Sequence, residues 1–204
     1  MIKNTISGIA AGILISIGGT IYLSCDIKYV GAILFSVALL CICLKGYSLF
    51  TGKIGFIPEK HDKEAFSVLL LGLLGNAIAT VICGFIIRAA LPAVGDNALT
   101  ICTTKLEQPV LSALVRAIFC GILMYLAVSI YRDHNKNIVG IVFCIPVFIL
   151  CGFEHSIADM FYFAASGIVS VKAFLYLWVI IAGNAIGGML LPFITGAARS
   201  KKTE

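Results

Sequence analysis

Cys151-Gly152-Phe153-Glu154-His155-Ser156-Ile157-Ala158-Asp159-Met160-Phe161 sets a Glu-His pair and, four residues on, an Asp into an otherwise apolar run from 138 to 171. In a membrane, ionisable groups at that depth are costly and mark a functional site by default. In a soluble protein the same residues would form a short polar loop between two helices. The rest of the chain decides between these readings.

Of the 204 residues, 60% are apolar and only 12% charged, with a mean hydropathy of +1.06. Soluble domains run at roughly 45–50% apolar and about 25% charged. The chain cannot clothe a water-facing surface, so it reads as one integral membrane domain, 1–204. Its long, nearly uncharged runs favour helices, because barrel strands would alternate apolar and polar residues over about 10 positions. Six of the eight cysteines, at 41, 43, 83, 120, 144 and 151, fall inside apolar runs and read as packing residues. Cys25 and Cys102 lie near segment ends, where pairing stays open. Neither a metal-type Cys/His spacing nor a cofactor motif is present.

Six spans follow, each near the ~20 residues that cross a hydrocarbon core: 5–25, 29–50, 66–91, 110–131, an interrupted fifth from 138, and 173–195. The run 6–23 resembles a signal peptide but lacks an Ala-x-Ala site, so it reads as the first span. The connections are a charged loop at 58–64, a loop of small and polar residues at 92–107, and a polar turn at 132–136. An even number of spans puts both termini on one side. That side collects Lys3, Lys53, Lys60, Lys63, Arg132, Lys136, Arg199, Lys201 and Lys202, against Lys28, Lys105 and Lys172 on the other. The positive-inside rule then places both termini in the cytoplasm. This bias accounts for the net charge of +5 without a nucleic-acid partner.

The second and fifth spans are irregular. Gly46, Gly52 and Gly55 work against a continuous second helix, and the fifth breaks near Gly152. Non-helical backbone at membrane depth survives where protein buries it or where it lines a watery cavity. The two halves, about 1–92 and 108–197, echo each other. Gly75-Asn76 recurs as Gly183-Asn184 at an offset of 108, and the breaks at Thr51 and His155 are offset by 104. With three spans per half, the second half is inverted. Inverted repeats with paired broken helices are a mark of transport proteins.

The run 152–161 closely resembles the signature of the formate/nitrite transporter family, which includes hydrosulfide channels. Leu49-Phe50-Thr51 is similar to the loop that interrupts its second helix, and Asn76 and Asn184 to its two Gly-Asn helices. The resemblance implies an all-α, aquaporin-like fold of 3+3 spans, assembled in the cell inner membrane as a homopentamer with one pore per protomer. It implies a central histidine at His155 with Thr51 beside it. It implies an inner apolar ring at Phe35, Leu39 and Phe148, an outer ring at Leu49 and Phe50, and vestibule lysines at Lys3 and Lys105. Glu154, Asp159, Asn76 and Asn184 would support the pore. Two positions depart from the family pattern: Asp159 stands where Asn is usual, and Gly121 where a Cys-Asn pair is common.

The expected activity is passage of a small monovalent anion. The lysines would concentrate it, and His155 would donate a hydrogen bond or proton as it crosses the apolar rings, since a bare charge is far costlier to bury than a neutral acid. Two other readings draw on the same residues. Glu154, His155 and Asp159 offer N and O ligands for a divalent metal, with His155 and Asp159 on one helix face. Glu154 and His155 could also serve an intramembrane enzyme.

Overall fold

The computed structural model describes residues 2–60 and 63–200, without the side chains of 59, 60 and 197–200. His61 and Asp62 of the charged loop, and Lys201 and Lys202 of the tail, lie outside the described residues.

Among the described residues the regular structure is helical: α1 Ile2–Ser24, α2 Lys28–Lys45, α3 Phe50–Lys53, a 3-10 turn Ile54–Phe56, α4 Ile57–Lys60, α5 Lys63–Ala90, α6 Pro92–Glu107, α7 Val110–Asp133, α8 Val139–Leu150, α9 Ser156–Ser166 and α10 Val171–Ser200. Five helices are long and apolar enough to cross a membrane, namely α1, α2, α5, α7 and α10 up to Gly196. The remaining apolar helix, α8, has 12 residues. At 1.5 Å per residue that is about 18 Å, short of a hydrocarbon core. Together with α9, of 11 residues, it covers the interrupted fifth segment. The outer faces carry large exposed apolar side chains such as Phe85, Phe143, Trp178 and Phe193, a surface that water does not favour.

Both interruptions begin at a glycine in the left-handed region. Gly46 (φ 69°) ends α2, and Gly152 (φ 66°) follows α8. A glycine is the residue that enters this conformation without steric cost. The chain then runs extended through Leu49 and His155, which sit at the N-terminal boundaries of α3 and α9.

The loop expected at 92–107 is instead α6. Pro92 occupies its first turn, where a missing N–H costs nothing. Val94, Ala98 and Cys102 recur every four residues and, with Gly95, form its buried face, and α6 packs on α9. Its outward Asp, Asn and Thr residues gave it the composition of a loop. Part of the charged loop is helical too, as α4.

Two matched pairs of crossed helices frame the molecule, α1 on α5 and α7 on α10. Each crossing depends on missing side chains. A Cβ on Gly75 would collide with the Thr5 carbonyl oxygen, and one on Gly187 with that of Ile118. Gly121 belongs to the second crossing, since a Cβ there would strike the Asn184 carbonyl. The departure at that position therefore serves close helix contact. The halves exchange their short helices: α9 packs on α5 of the first half, and the 3-10 turn packs on α10 of the second. Every residue of α9 is buried.

Candidate functional site

Asn76 and Asn184 hold the two breaks by the same three hydrogen bonds. The backbone N–H of Phe50 donates to Asn76 Oδ1 (2.9 Å), while Asn76 Nδ2 donates to the carbonyls of Gly8 (2.8 Å) and Ser48 (2.9 Å). The backbone N–H of Ser156 donates to Asn184 Oδ1 (2.8 Å), while Asn184 Nδ2 donates to the carbonyls of Ala117 and Glu154 (both 2.8 Å). Buried backbone groups freed by a helix break need such partners. The matched bonds pair Ser48 with Glu154 and Phe50 with Ser156, an offset of 106. In this register His155 corresponds to Leu49, and Thr51 to Ile157. The sequence offset of 104 compared two residues that meet, not two that are equivalent.

Thr51 and His155 are both buried, and Thr51 Oγ1 lies 2.9 Å from His155 Nε2. The other ring nitrogen caps α9: the backbone N–H of Ala158 donates to His155 Nδ1 (3.1 Å). A neutral imidazole has one N–H and one acceptor nitrogen. Because Nδ1 accepts, the hydrogen-bond network assigns the proton to Nε2, which donates to Thr51 Oγ1. The Thr51 hydroxyl then has its own O–H to offer. A second proton at Nδ1 would face the Ala158 N–H and break the cap.

Phe148 stacks on His155, with centroids 5.5 Å apart and planes at 17°. Phe35 meets Phe148 edge-on at 6.4 Å. Leu39, expected in the same ring, sits one helical turn past Phe35 on α2 and is buried. With Leu49 it lines a cavity of about 630 Å³ whose wall also holds Lys53, Glu64, Tyr131 and Arg132 but none of Phe35, Phe50 and Phe148.

The charged residues are arranged differently from a pair of open mouths. Lys3 is exposed in the first turn of α1. Lys105 is only 13% exposed, and its ammonium ion-pairs with both Glu154 and Asp159 Oδ1, the latter at 3.0 Å. Gln108 Nε2 also donates to Glu154 Oε1 (3.1 Å). Glu154 therefore does not cap the broken helix with its carboxylate, because Asn184 fills that role. In the first half the equivalent residues are Ser48 and Lys53, and Lys53 Nζ donates to Ser48 Oγ (2.9 Å). Lys105, Gln108 and Tyr176 were not read as one cluster with Glu154. They are distant in sequence, and no local pattern links them.

This arrangement does not suit a metal. The carboxylates of Glu154 and Asp159 already face an ammonium, and both imidazole nitrogens are engaged. Among the described residues no three His, Cys, Asp or Glu side chains converge as a metal site. All eight cysteines are free thiols, Cys25 and Cys102 included.

An all-helical, multi-pass membrane bundle with a Thr–His pair at the meeting of two interrupted helices is the architecture of a transport channel, not of an enzyme. Comparison with known proteins agrees. The sequence model of the family described as "Formate/nitrite transporter" matches residues 1–197, and the chain belongs to that family. It is 28% identical over 185 residues to formate-nitrite transporter 2 of Toxoplasma gondii, covering 80% of this chain and 40% of that protein. It is 27% identical over 184 residues to the uncharacterized transporter YrhG of Bacillus subtilis (82% and 67%), and 25% identical over 144 residues to the nitrite transporter NirC of Escherichia coli (65% and 54%). Of these three relatives, the chain spans less than two thirds of the Toxoplasma and Escherichia proteins. Two solved structures share its fold. A pentameric formate channel with formate bound gives a TM-score of 0.79 at 24% identity, covering 99% of this chain and 97% of that one. An FNT family ion channel gives 0.80 at 20% identity, covering 93% and 87%.

Proposed function

We propose that the protein is a channel for small monovalent anions of the formate, nitrite and hydrosulfide class, with passage assisted at His155. The observation that carries this reading is the tautomer of His155. The cap bond at Nδ1 keeps an N–H on Nε2, beside the Thr51 hydroxyl, in a setting otherwise walled by Phe148 and buried apolar side chains. With the Nε2–H held on Thr51 Oγ1, the Thr51 O–H is the donor left to meet an anion's oxygen or sulfur atom, or the proton it shares, where burying a bare charge would be prohibitive. Phe35, Leu39 and Phe148 form one apolar constriction, and Leu49 and Phe50 the other. Lys53 on the cavity wall and Lys3 near the chain start raise the local anion concentration.

The chain works as a homopentamer in the cell membrane, with one pore per protomer and both termini cytoplasmic. Support for this assembly is the shared fold with a channel described as pentameric and the exposed apolar faces, which suit lipid and neighbouring protomers. Flux of labelled formate, nitrite and hydrosulfide into proteoliposomes across a pH series tests the proposal. Uptake of at least one anion well above protein-free liposomes is expected. Uptake of none at any pH would sink it.

A further inference from the structure

Glu154 and Asp159 are each 1% exposed and share a single ammonium, that of Lys105. Fully ionised, the three groups carry a net charge of −1 in a buried place. Carboxyls sharing a site resist ionising together. Asp159 Oδ1 accepts from Lys105, but Oδ2 is buried and has no partner among the described residues. Two further polar atoms beside the pair are also buried and without a hydrogen-bond partner among the described residues: Gln108 Oε1, whose amide holds Glu154, and the hydroxyl of Tyr176, which is 8% exposed. Tyr176 lies within electrostatic reach of both carboxyls. An O–H on Asp159 would turn an unsatisfied acceptor into a donor for such neighbours.

We propose that the Glu154–Asp159 pair binds one exchangeable proton, resident on Asp159 Oδ2, and that proton binding at this site favours anion passage. The step is acid–base only. A proton from solvent hydronium forms an O–H bond on Asp159, water is released, and the cluster goes from −1 to neutral. An anion meets less repulsion from the neutral cluster, so proton and anion are positively linked.

The other groups around Asp159 leave this titration to the carboxyl pair. Cys102 on α6, Cys120 on α7, Tyr162 on α9 and Tyr176 on α10 face it. All are intrinsically far weaker acids than a carboxyl. His155 has both nitrogens bonded. Arg88 of α5 sits at the other end of α9, donating to the carbonyls of Ala165 and Ser166. The equivalent positions in the first half are Ser48 and Lys53, so the acid pair has no counterpart there and the proton site is one-sided.

The flux part of this inference rests on the anion-channel reading, whereas the proton site itself does not. Infrared titration of the full chain in liposomes, without substrate, is expected to show a protonated-carboxyl C=O band that fades as pH rises and is missing in Asp159→Asn. No such band in the wild type, or the same band in the variant, overturns the site. In labelled-formate uptake the neutral-acid supply is common to both proteins, so their ratio isolates residue 159. The Asp159→Asn to wild-type flux ratio should rise about tenfold between about pH 5 and about pH 8, the effect of one unit charge at near range in partly buried surroundings. A ratio constant with pH overturns the linkage. If Asp159→Asn fails to assemble, Glu154→Gln removes the other carboxyl and should also abolish the titrating band, and a persisting band counts against the pair. A wild type that shows the band but carries no anion would sink the channel reading and keep the proton site. Flux without the band would do the reverse.

Discussion

Replacing Asn184 by Asp changes one atom type at the point where the second helix break is anchored. Asn184 is fully buried and makes three hydrogen bonds. An aspartate keeps the acceptor for the Ser156 N–H. It loses both donors: the Glu154 carbonyl loses its partner, and the Ala117 carbonyl, inside α7, loses a second bond beside its helical one. Protonated, it recovers at most one of them. A buried group left unsatisfied costs about 1–3 kcal/mol and one further lost hydrogen bond about 0.5–1.5 kcal/mol, so the variant should lose roughly 2–4 kcal/mol, a sizeable share of a folding stability of about 5–15 kcal/mol. The loss falls on 151–155, the segment that carries His155. Thermal unfolding of the purified protein should show a clear drop, and anion flux should fall more than tenfold. Asn76→Asp should behave alike, since Asn76 makes the same three bonds to the first break. Wild-type stability and flux in both variants would refute the claim that these asparagines hold the breaks.

Thr51→Val keeps the shape of the side chain and removes the His155 Nε2 partner. Flux should fall about tenfold, the worth of one hydrogen bond, and the buried Nε2–H left without its partner should lower the melting temperature by a few degrees. Gly187→Ala puts a methyl group into the Ile118 carbonyl and should reduce the yield of assembled protein in detergent by gel filtration. Lys105→Met strands two buried carboxylates. It should destabilise by about 3–5 kcal/mol, and thermal unfolding should show part of that loss recovered in the double variant with Asp159→Asn.

Much of this architecture is written locally. Gly46 and Gly152 mark both breaks because a left-handed turn calls for glycine; Gly152 stands out in the sequence, whereas Gly46 is one of three glycines, with Gly52 and Gly55, that the sequence does not tell apart. Thr51 and His155 were expected together, and the structure brings them into hydrogen-bonding distance. The helix at 92–107 was missed because its buried face is made of Val94, Gly95, Ala98 and Cys102, too small and sparse to stand out from the polar residues around them. Asn76 and Asn184 were visible as a repeat, but their targets lie 26 to 68 residues away and only the fold reveals them. The same holds for Lys105, which meets Glu154 across a separation of 49 residues.

The Nε2–H of His155 is central to the proposed passage, because it fixes the Thr51 hydroxyl that an anion meets. Formate flux in proteoliposomes for wild type, His155→Asn and His155→Phe, measured across a pH series, tests it most directly. Phe keeps the ring's bulk against Phe148 and removes the donor, so its flux should collapse. Asn retains an amide donor and should keep part of the flux with an altered pH profile. Unchanged flux and unchanged pH dependence in both variants would contradict the account.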